Sequence, residues 1–159
     1  MKKLKLYFDA SAIGYLDEQS HSNEMSDMLS LWEEIKQGRY SIALSYVTLN
    51  EINAIRNTEK LNTLLQHLAE VTYETIAAND EIERVAELVK TTGLLVPDKC
   101  ENDRLHIGCA IVYGCDILVS YNFNHLANVK TIRGVRGISN LSGYGNIDIM
   151  PASMLIGGV

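Results

Sequence analysis

Apolar positions along this chain fall into two patterns: short unbroken runs, and longer stretches in which they recur every three or four residues. Leu4 to Phe8 reads Leu-Lys-Leu-Tyr-Phe, a run suited to a strand, and it stops at Asp9. Ala10 to Leu16 then predicts a helix. Between Glu24 and Lys36, the spacing of Met28, Leu31, Trp32 and Ile35 predicts an amphipathic helix that Gly38 stops. Tyr40 to Leu44 is a second strand-like run. Thr48-Leu49-Asn50-Glu51 fits a capping box, hydroxyl first and carboxylate three residues on, so a helix is predicted to open at Thr48. A helix over Lys60 to Ala69, a strand around Val71 to Thr75 and a helix over Asp80 to Thr91 follow, the last ended by Gly93.

After the Pro97-Asp98 turn, Asp98-Lys99-Cys100-Glu101 offers a second cap. Glu101 to Tyr113 then predicts an apolar helix ended by Gly114. Asp116 to Ser120 contains an uninterrupted apolar run, the mark of a strand covered on both faces. Val129 to Leu141 stays ambiguous, because Gly134 and Gly137 weaken a helix there. Ile147 to Met150 closes the series as a short strand. Strands alternating with helices predict an α/β fold: a central, mostly parallel sheet with helices on both faces and the first strand in its interior.

A length of 159 residues suits one domain spanning 1–159 with one core. The net charge of −6 argues against a surface coated in basic residues for tight nucleic-acid binding. It leaves room for an enzyme that meets nucleic acid through a metal-loaded acidic site, since bound cations invert the local field. Lys2, Lys3 and Lys5 group at the start, and Lys130, Arg133 and Arg136 near the end. Cys100, Cys109 and Cys115 are odd in number and lack a CxxC spacing, which predicts buried or half-buried free thiols in a reducing cytoplasm. No segment approaches the ~20 apolar residues of a membrane span, so a cytoplasmic protein is expected.

Open parallel sheets bind ligands at the carboxyl ends of their strands. Asp9 directly follows the first strand, Asn122 lies two residues beyond the run that ends at Ser120, and Glu51 and Asp103 each sit early in a helix. Crowded carboxylates repel and raise one another's pKa unless a cation neutralises them, and Mg²⁺ or Mn²⁺ prefers such oxygen ligands. Each residue also has a plain structural role: Asp9 as a helix cap, Glu51 as the arm of the Thr48 capping box, Asp103 as a carboxylate favoured near a helix N-terminus. Ser11 suits its own helix turn, His106 suits packing or support of the site, and His125 suits either substrate contact or fixing of its loop. Ser–His–Asp arrangements, P-loops and GxGxxG are absent, and Asp-Ala-Ser is not the Asp-x-Asp of a phosphatase.

Leu6-Tyr7-Phe8-Asp9-Ala10-Ser11 resembles the opening of PIN domains, where a strand runs into Asp-x-Ser or Asp-x-Thr. Thr48 to Ile52 resembles their second acidic element, and Asn102 to Ala110 their third. Gly114-Cys115-Asp116-Ile117-Leu118-Val119-Ser120-Tyr121-Asn122-Phe123-Asn124-His125 is similar to the closing strand and loop and is the most specific of these matches. The resemblance spans Leu4 to Asn128 and is strongest to the VapC-like branch of toxin–antitoxin proteins. It implies a three-layer PIN-like fold and a metal-dependent endoribonuclease in which Asp9, Glu51, Asp103 and Asn122 form the Mg²⁺ or Mn²⁺ site. Ser11 and His125 are then candidate substrate contacts. It also implies an RNA substrate, a cognate antitoxin and a homodimer. Asn122 stands where many PIN domains carry Asp, which adds a ligand without a charge. A non-catalytic binding module and a DNA-directed nuclease are the alternative readings. Asp116, at the start of its strand, is expected at the far end from the site.

Overall fold

The computed structural model describes residues 2–156. Strands β1 (Lys5–Phe8), β2 (Ser41–Ser45), β3 (Glu74–Ile76), β4 (Ile117–Val119) and β5 (Asp148–Met150) form one sheet in the order β3-β2-β1-β4-β5. All four pairings are parallel, and β1 lies at the centre as expected. The helices are α1 (Ala10–Gly14), α2 (Ser22–Lys36), α3 (Tyr46–Asn53), α4 (Thr58–Ala69), α5 (Asp80–Thr91), α6 (Glu101–Val112) and α7 (Val129–Leu141).

The two-residue period of the strands sorts their side chains into two cores. Leu6 and Phe8 of β1, Ile42 and Leu44 of β2, and Ile117 and Val119 of β4 pack with Ile13, Trp32 and Leu64 from α1, α2 and α4. The intervening Tyr7, Ala43 and Leu118 pack with Ile82, Ile107 and Val135 from α5, α6 and α7. Helices therefore cover both faces, which is why the central strands read as continuous apolar runs. Trp32 is a core residue, its indole N–H donating to the His67 carbonyl at 3.0 Å. Asp116 accepts from the Lys5 backbone N–H at 2.8 Å, at the amino end of β1 and away from the rim of Asp9.

Three local expectations are corrected. Thr48 does not open the third helix: Ser45, the last residue of β2, caps α3 by accepting from the Thr48 N–H at 3.2 Å. The strand turns directly into the helix, and Thr48 Oγ1 instead donates to the Phe8 carbonyl at 2.8 Å. Glu51 is thereby freed from any capping-box role. Asp98 likewise caps nothing: Asp98–Cys100 is a single 3-10 turn, and Arg104 folds the preceding loop by donating to the Pro97 and Leu95 carbonyls. The first helix is α-helical only to Gly14 and continues as a 3-10 turn over Tyr15–Asp17.

The ambiguous stretch is a helix throughout. Asn128 caps α7 through the Thr131 N–H, and Gly134 makes room for Leu94, whose Cδ1 lies 2.3 Å from where a Cβ would stand. Gly108 of α6 does the same against a harder neighbour, the Ile82 backbone carbonyl of α5, at 2.8 Å from an added Cβ. Backbone cannot swing aside as a leucine tip can. Gly108→Ala is expected to destabilise the protein by about 1–3 kcal/mol by overpacking the α5–α6 contact, despite alanine's better helix propensity. A denaturation midpoint at or above that of wild type would show that the helices separate freely.

Candidate active site

The chain builds β1, β2 and β3 outward in one direction, then returns to place β4 and β5 on the other side of β1. The carboxyl ends of β1 and β4 thus flank the switch point, where open α/β sheets bind their ligands. Because Phe8 pairs with Val119, the next residues, Asp9 and Ser120, face each other across that gap.

Asp9 is the most buried of the predicted acids, 4% exposed. Its Oδ2 accepts from the Ser120 hydroxyl at 2.5 Å, and its Oδ1 from the Ser11 hydroxyl at 2.7 Å and the Ala12 N–H at 2.9 Å. Asp9 is therefore a helix cap as well as a site candidate. Burial raises its pKa above the usual 3.8, an effect only opposed by His106 and by the Ser120, Ser11 and Ala12 donors. Ser11 also accepts from the Tyr121 N–H at 3.1 Å, so its hydroxyl ties α1 to the loop after β4.

A carboxyl group whose folded pKa lies above its unfolded one stabilises the fold fully below the unfolded value. That contribution is lost as pH rises through the folded value. In EDTA, Asp9→Asn is thus expected to gain stability relative to wild type as pH rises from 3.8 toward neutrality. Urea denaturation across that range measures it, and a wild-type-to-variant difference that stays constant with pH would remove Asp9 as a desolvated charge.

Glu51 lies on α3, with its side chain 37% exposed, and its Oε1 meets His106 Nε2 at 2.6 Å. His106, buried on α6, reaches Tyr7 Oη with Nδ1 at 2.6 Å, and Tyr7 Oη meets Ser45 Oγ at 2.6 Å. Burial, with a smaller push from Cys109, holds the Tyr7 phenol well above its ordinary pKa, so it stays protonated. Tyr7 Oη therefore bridges Ser45 Oγ and His106 Nδ1, and His106 Nε2 meets Glu51 Oε1. A buried relay fixes the Glu51 carboxylate from beneath. Two surface depressions meet at Glu51, one lined by Ser11, Tyr15 and Lys60, the other by Asn50, Asn102 and Leu105.

Asp103, in the first turn of α6, has its side chain 16% exposed and pairs through Oδ2 with His125 Nδ1 at 2.9 Å. His125 is held by its backbone as well: its N–H donates to Asn122 Oδ1 at 3.1 Å, and its carbonyl accepts from Thr131 Oγ1 at 2.7 Å. Asn122 in turn donates its N–H to Ser120 Oγ at 3.0 Å. Asp9, Ser120, Asn122, His125 and Asp103 are joined in one continuous series of hydrogen bonds, with Asn122 Oδ1 engaged in the loop turn. Burial pushes the Cys109 and Cys115 thiols up to about 11 and about 12.

Two positions bonded to the candidate site escape the sequence reading. Ser120 was visible only as the end of an apolar run, and its partner Asp9 lies 111 positions away. Tyr7 read simply as a strand residue, although alternation with Leu6 and Phe8 places it on the opposite face, the one facing α6.

No protein-family model and no curated protein matches the sequence. Solved structures do match the fold. A chain of VapBC2 from Rickettsia felis, crystallised bound to a DNA fragment from its promoter, aligns with a TM-score of 0.55 at 18% identity. The alignment covers 91% of this chain and 98% of that one. A chain of VapBC-5 from Mycobacterium tuberculosis, a member of the VapBC family of toxin–antitoxin systems, aligns with a TM-score of 0.50 at 15% identity. Coverage there is 92% and 98%. The three-layer parallel architecture is PIN-like, and these neighbours share the fold that the sequence resemblance implies. Among the described residues, no helix is long and apolar enough to cross a membrane.

Proposed function

We propose that this chain is a single-domain, Mg²⁺- or Mn²⁺-dependent endoribonuclease of the PIN type, acting in the cytoplasm as the toxin of a toxin–antitoxin pair. The observation that carries the reading is Asp9: a carboxylate at the switch point, held by three donors and raised in pKa by its burial. The donor set of Asp9, Glu51, Asp103 and the Asn122 carbonyl is all oxygen, which suits a hard divalent ion. Such an ion, when bound, supplies a Lewis acid for the scissile phosphate and lowers the pKa of a bound water.

The protein's own residues divide the remaining work. Asp9 and Asp103 hold the principal metal, the former oriented by Ser11 and Ser120, the latter by His125. Glu51, at the junction of two surface depressions, is the carboxylate best placed to meet a passing RNA strand and take the proton of the attacking water. Its orientation is set by His106. A homodimer and a cognate antitoxin that covers the rim follow from the VapC resemblance.

The deciding assay is cleavage of RNA by purified protein in Mg²⁺ or Mn²⁺, beside Asp9→Ala and Asn122→Asp. Wild type is expected to cut, Asp9→Ala to be inert, and Asn122→Asp to bind metal more tightly while still cutting, because it adds a charge and keeps the acceptor for the His125 N–H. The engagement of Asn122 Oδ1 inside its own loop is the one observation that favours a non-catalytic binding module. A wild type that neither binds metal nor cuts RNA, with activity gained by Asn122→Asp, would establish that alternative. Cleavage of single- or double-stranded DNA in preference to RNA would instead assign a DNA-directed nuclease.

A further inference from the structure

Asp103 belongs to a second donor set that the nuclease chemistry does not use. Cys100 Sγ, an Asp103 carboxylate oxygen and His125 Nδ1 all lie within 4.8 Å of one another. Cys100 Sγ is 4.0 Å from His125 Nδ1, and that same nitrogen is 2.9 Å from Asp103 Oδ2. In a nucleophile–base–acid triad the imidazole stands between its partners, one on each nitrogen. Here both partners converge on Nδ1, so the ring relays no proton between them. Three ligand atoms surround a common point instead.

We propose that Cys100, Asp103 and His125 form a binding site for Zn²⁺ or a similarly borderline transition-metal ion, and that its occupancy switches off the proposed nuclease centre by withdrawing Asp103. Thiolate, imidazole and carboxylate are the zinc donor types, and three protein ligands with an open fourth position form a recognised zinc arrangement. With zinc–ligand bonds of about 2.0–2.3 Å, a tetrahedron needs ligand–ligand separations of roughly 3.3–3.7 Å. The sulfur–nitrogen gap must close slightly and the nitrogen–oxygen gap open slightly to reach it.

The frame is already fixed. Cys100 and Asp103, three residues apart at the start of α6, share one helix face. His125 is pinned through its N–H and its carbonyl. On binding, the thiol proton leaves to solvent as the metal–sulfur bond forms, and the ring proton exchanges from Nδ1 to Nε2. The carboxylate exchanges its hydrogen bond from His125 for the cation. Asp103 thus stands between a hard oxygen site with Asp9 and Glu51 and a softer mixed site with Cys100 and His125. The inhibitory half of the inference rests on the nuclease reading; the metal site itself does not.

Cobalt(II) titration of the full-length protein separates the two. Wild type is expected to develop a thiolate-to-cobalt charge-transfer band that Zn²⁺ abolishes, and Cys100→Ser to lack it while keeping the wild-type circular dichroism. Competition with a chromogenic chelator is expected to show Zn²⁺ affinity falling in Cys100→Ser by more than the roughly 10–100-fold that an outer-shell change costs. His125→Gln, which leaves the thiol in place, is expected to weaken Zn²⁺ binding as well, and covers the case in which Cys100→Ser does not fold. A wild type without the charge-transfer band, or a band that persists in Cys100→Ser, overturns the site. In Mg²⁺-supported cleavage, added Zn²⁺ is expected to inhibit wild type and spare Cys100→Ser; equal inhibition of both overturns the switch. A protein that shows the cobalt band but cuts no RNA at all refutes the nuclease reading and supports the metal site alone.

Discussion

Mg²⁺ or Mn²⁺ is expected to raise the Tm of the wild-type protein, and Asp9→Ala is expected to abolish the rise. A ligand at 100 times its Kd stabilises the folded state by about 2.7 kcal/mol. For a chain of this length that corresponds to roughly 5–10 °C. The effect is concentrated at Asp9 because its carboxylate is buried and its three direct donors, from Ser11, Ala12 and Ser120, are neutral groups. Asp103→Asn should reduce the same shift, and Glu51→Gln should reduce it less, since Glu51 is the more exposed carboxylate. Differential scanning fluorimetry across a metal series measures all four proteins. An equal rise in wild type and Asp9→Ala would place the cation elsewhere.

His106→Ala is expected to be the most damaging substitution outside the acids, because it fails on two counts at once. It leaves the buried Tyr7 hydroxyl without its imidazole partner and opens a void between α6 and the sheet, together costing about 2–4 kcal/mol. It also releases the Glu51 carboxylate, for which a roughly 10–100-fold loss of cleavage is expected, as for other outer-shell supports. His106→Gln separates the two effects. Its amide reaches toward Glu51 but offers Tyr7 no ring nitrogen, so it should recover more of the cleavage than of the stability. Chemical denaturation and single-turnover cleavage of the three proteins provide the comparison. If His106→Ala lowered stability alone and left cleavage intact, Glu51 would need no support from beneath.

The sequence was most informative where one interaction dominates. The apolar run from Ile117 to Val119 is buried on both sides, and the amphipathic spacing in Asp80 to Thr91 gives that helix its observed bounds. It was less informative where two local signals compete. Ser45-Tyr46-Val47-Thr48 and Thr48-Leu49-Asn50-Glu51 both begin with a hydroxyl, and the choice between them depends on β2 ending at the rim, next to Phe8. The glycines of α7 looked like a cost because the Leu94 side chain that fills the space over Gly134 comes from another part of the chain. Asp9 could be read because it directly follows β1, whereas the caps expected ahead of Glu51 and Asp103 are not the ones that form. The relay beneath Glu51 could not be read, since Tyr7 and His106 are 99 positions apart and only the strand order brings them together.

The central position of β1 sets a sequence in time. Strand β1 leaves the ribosome ahead of β4 and of Ser120 just beyond it, which pairs with Asp9 across 111 residues. At a synthesis rate of about 5–20 residues per second, that interval lasts roughly 5–20 s. Through it, one edge of β1 offers unpaired backbone groups, and Asp9 lacks the serine that orients it. Asp103, Asn122 and His125 are likewise still to come. The rim therefore cannot exist until Asn122 and His125 have been made, and the edge exposed meanwhile is open to any extended segment that reaches it first.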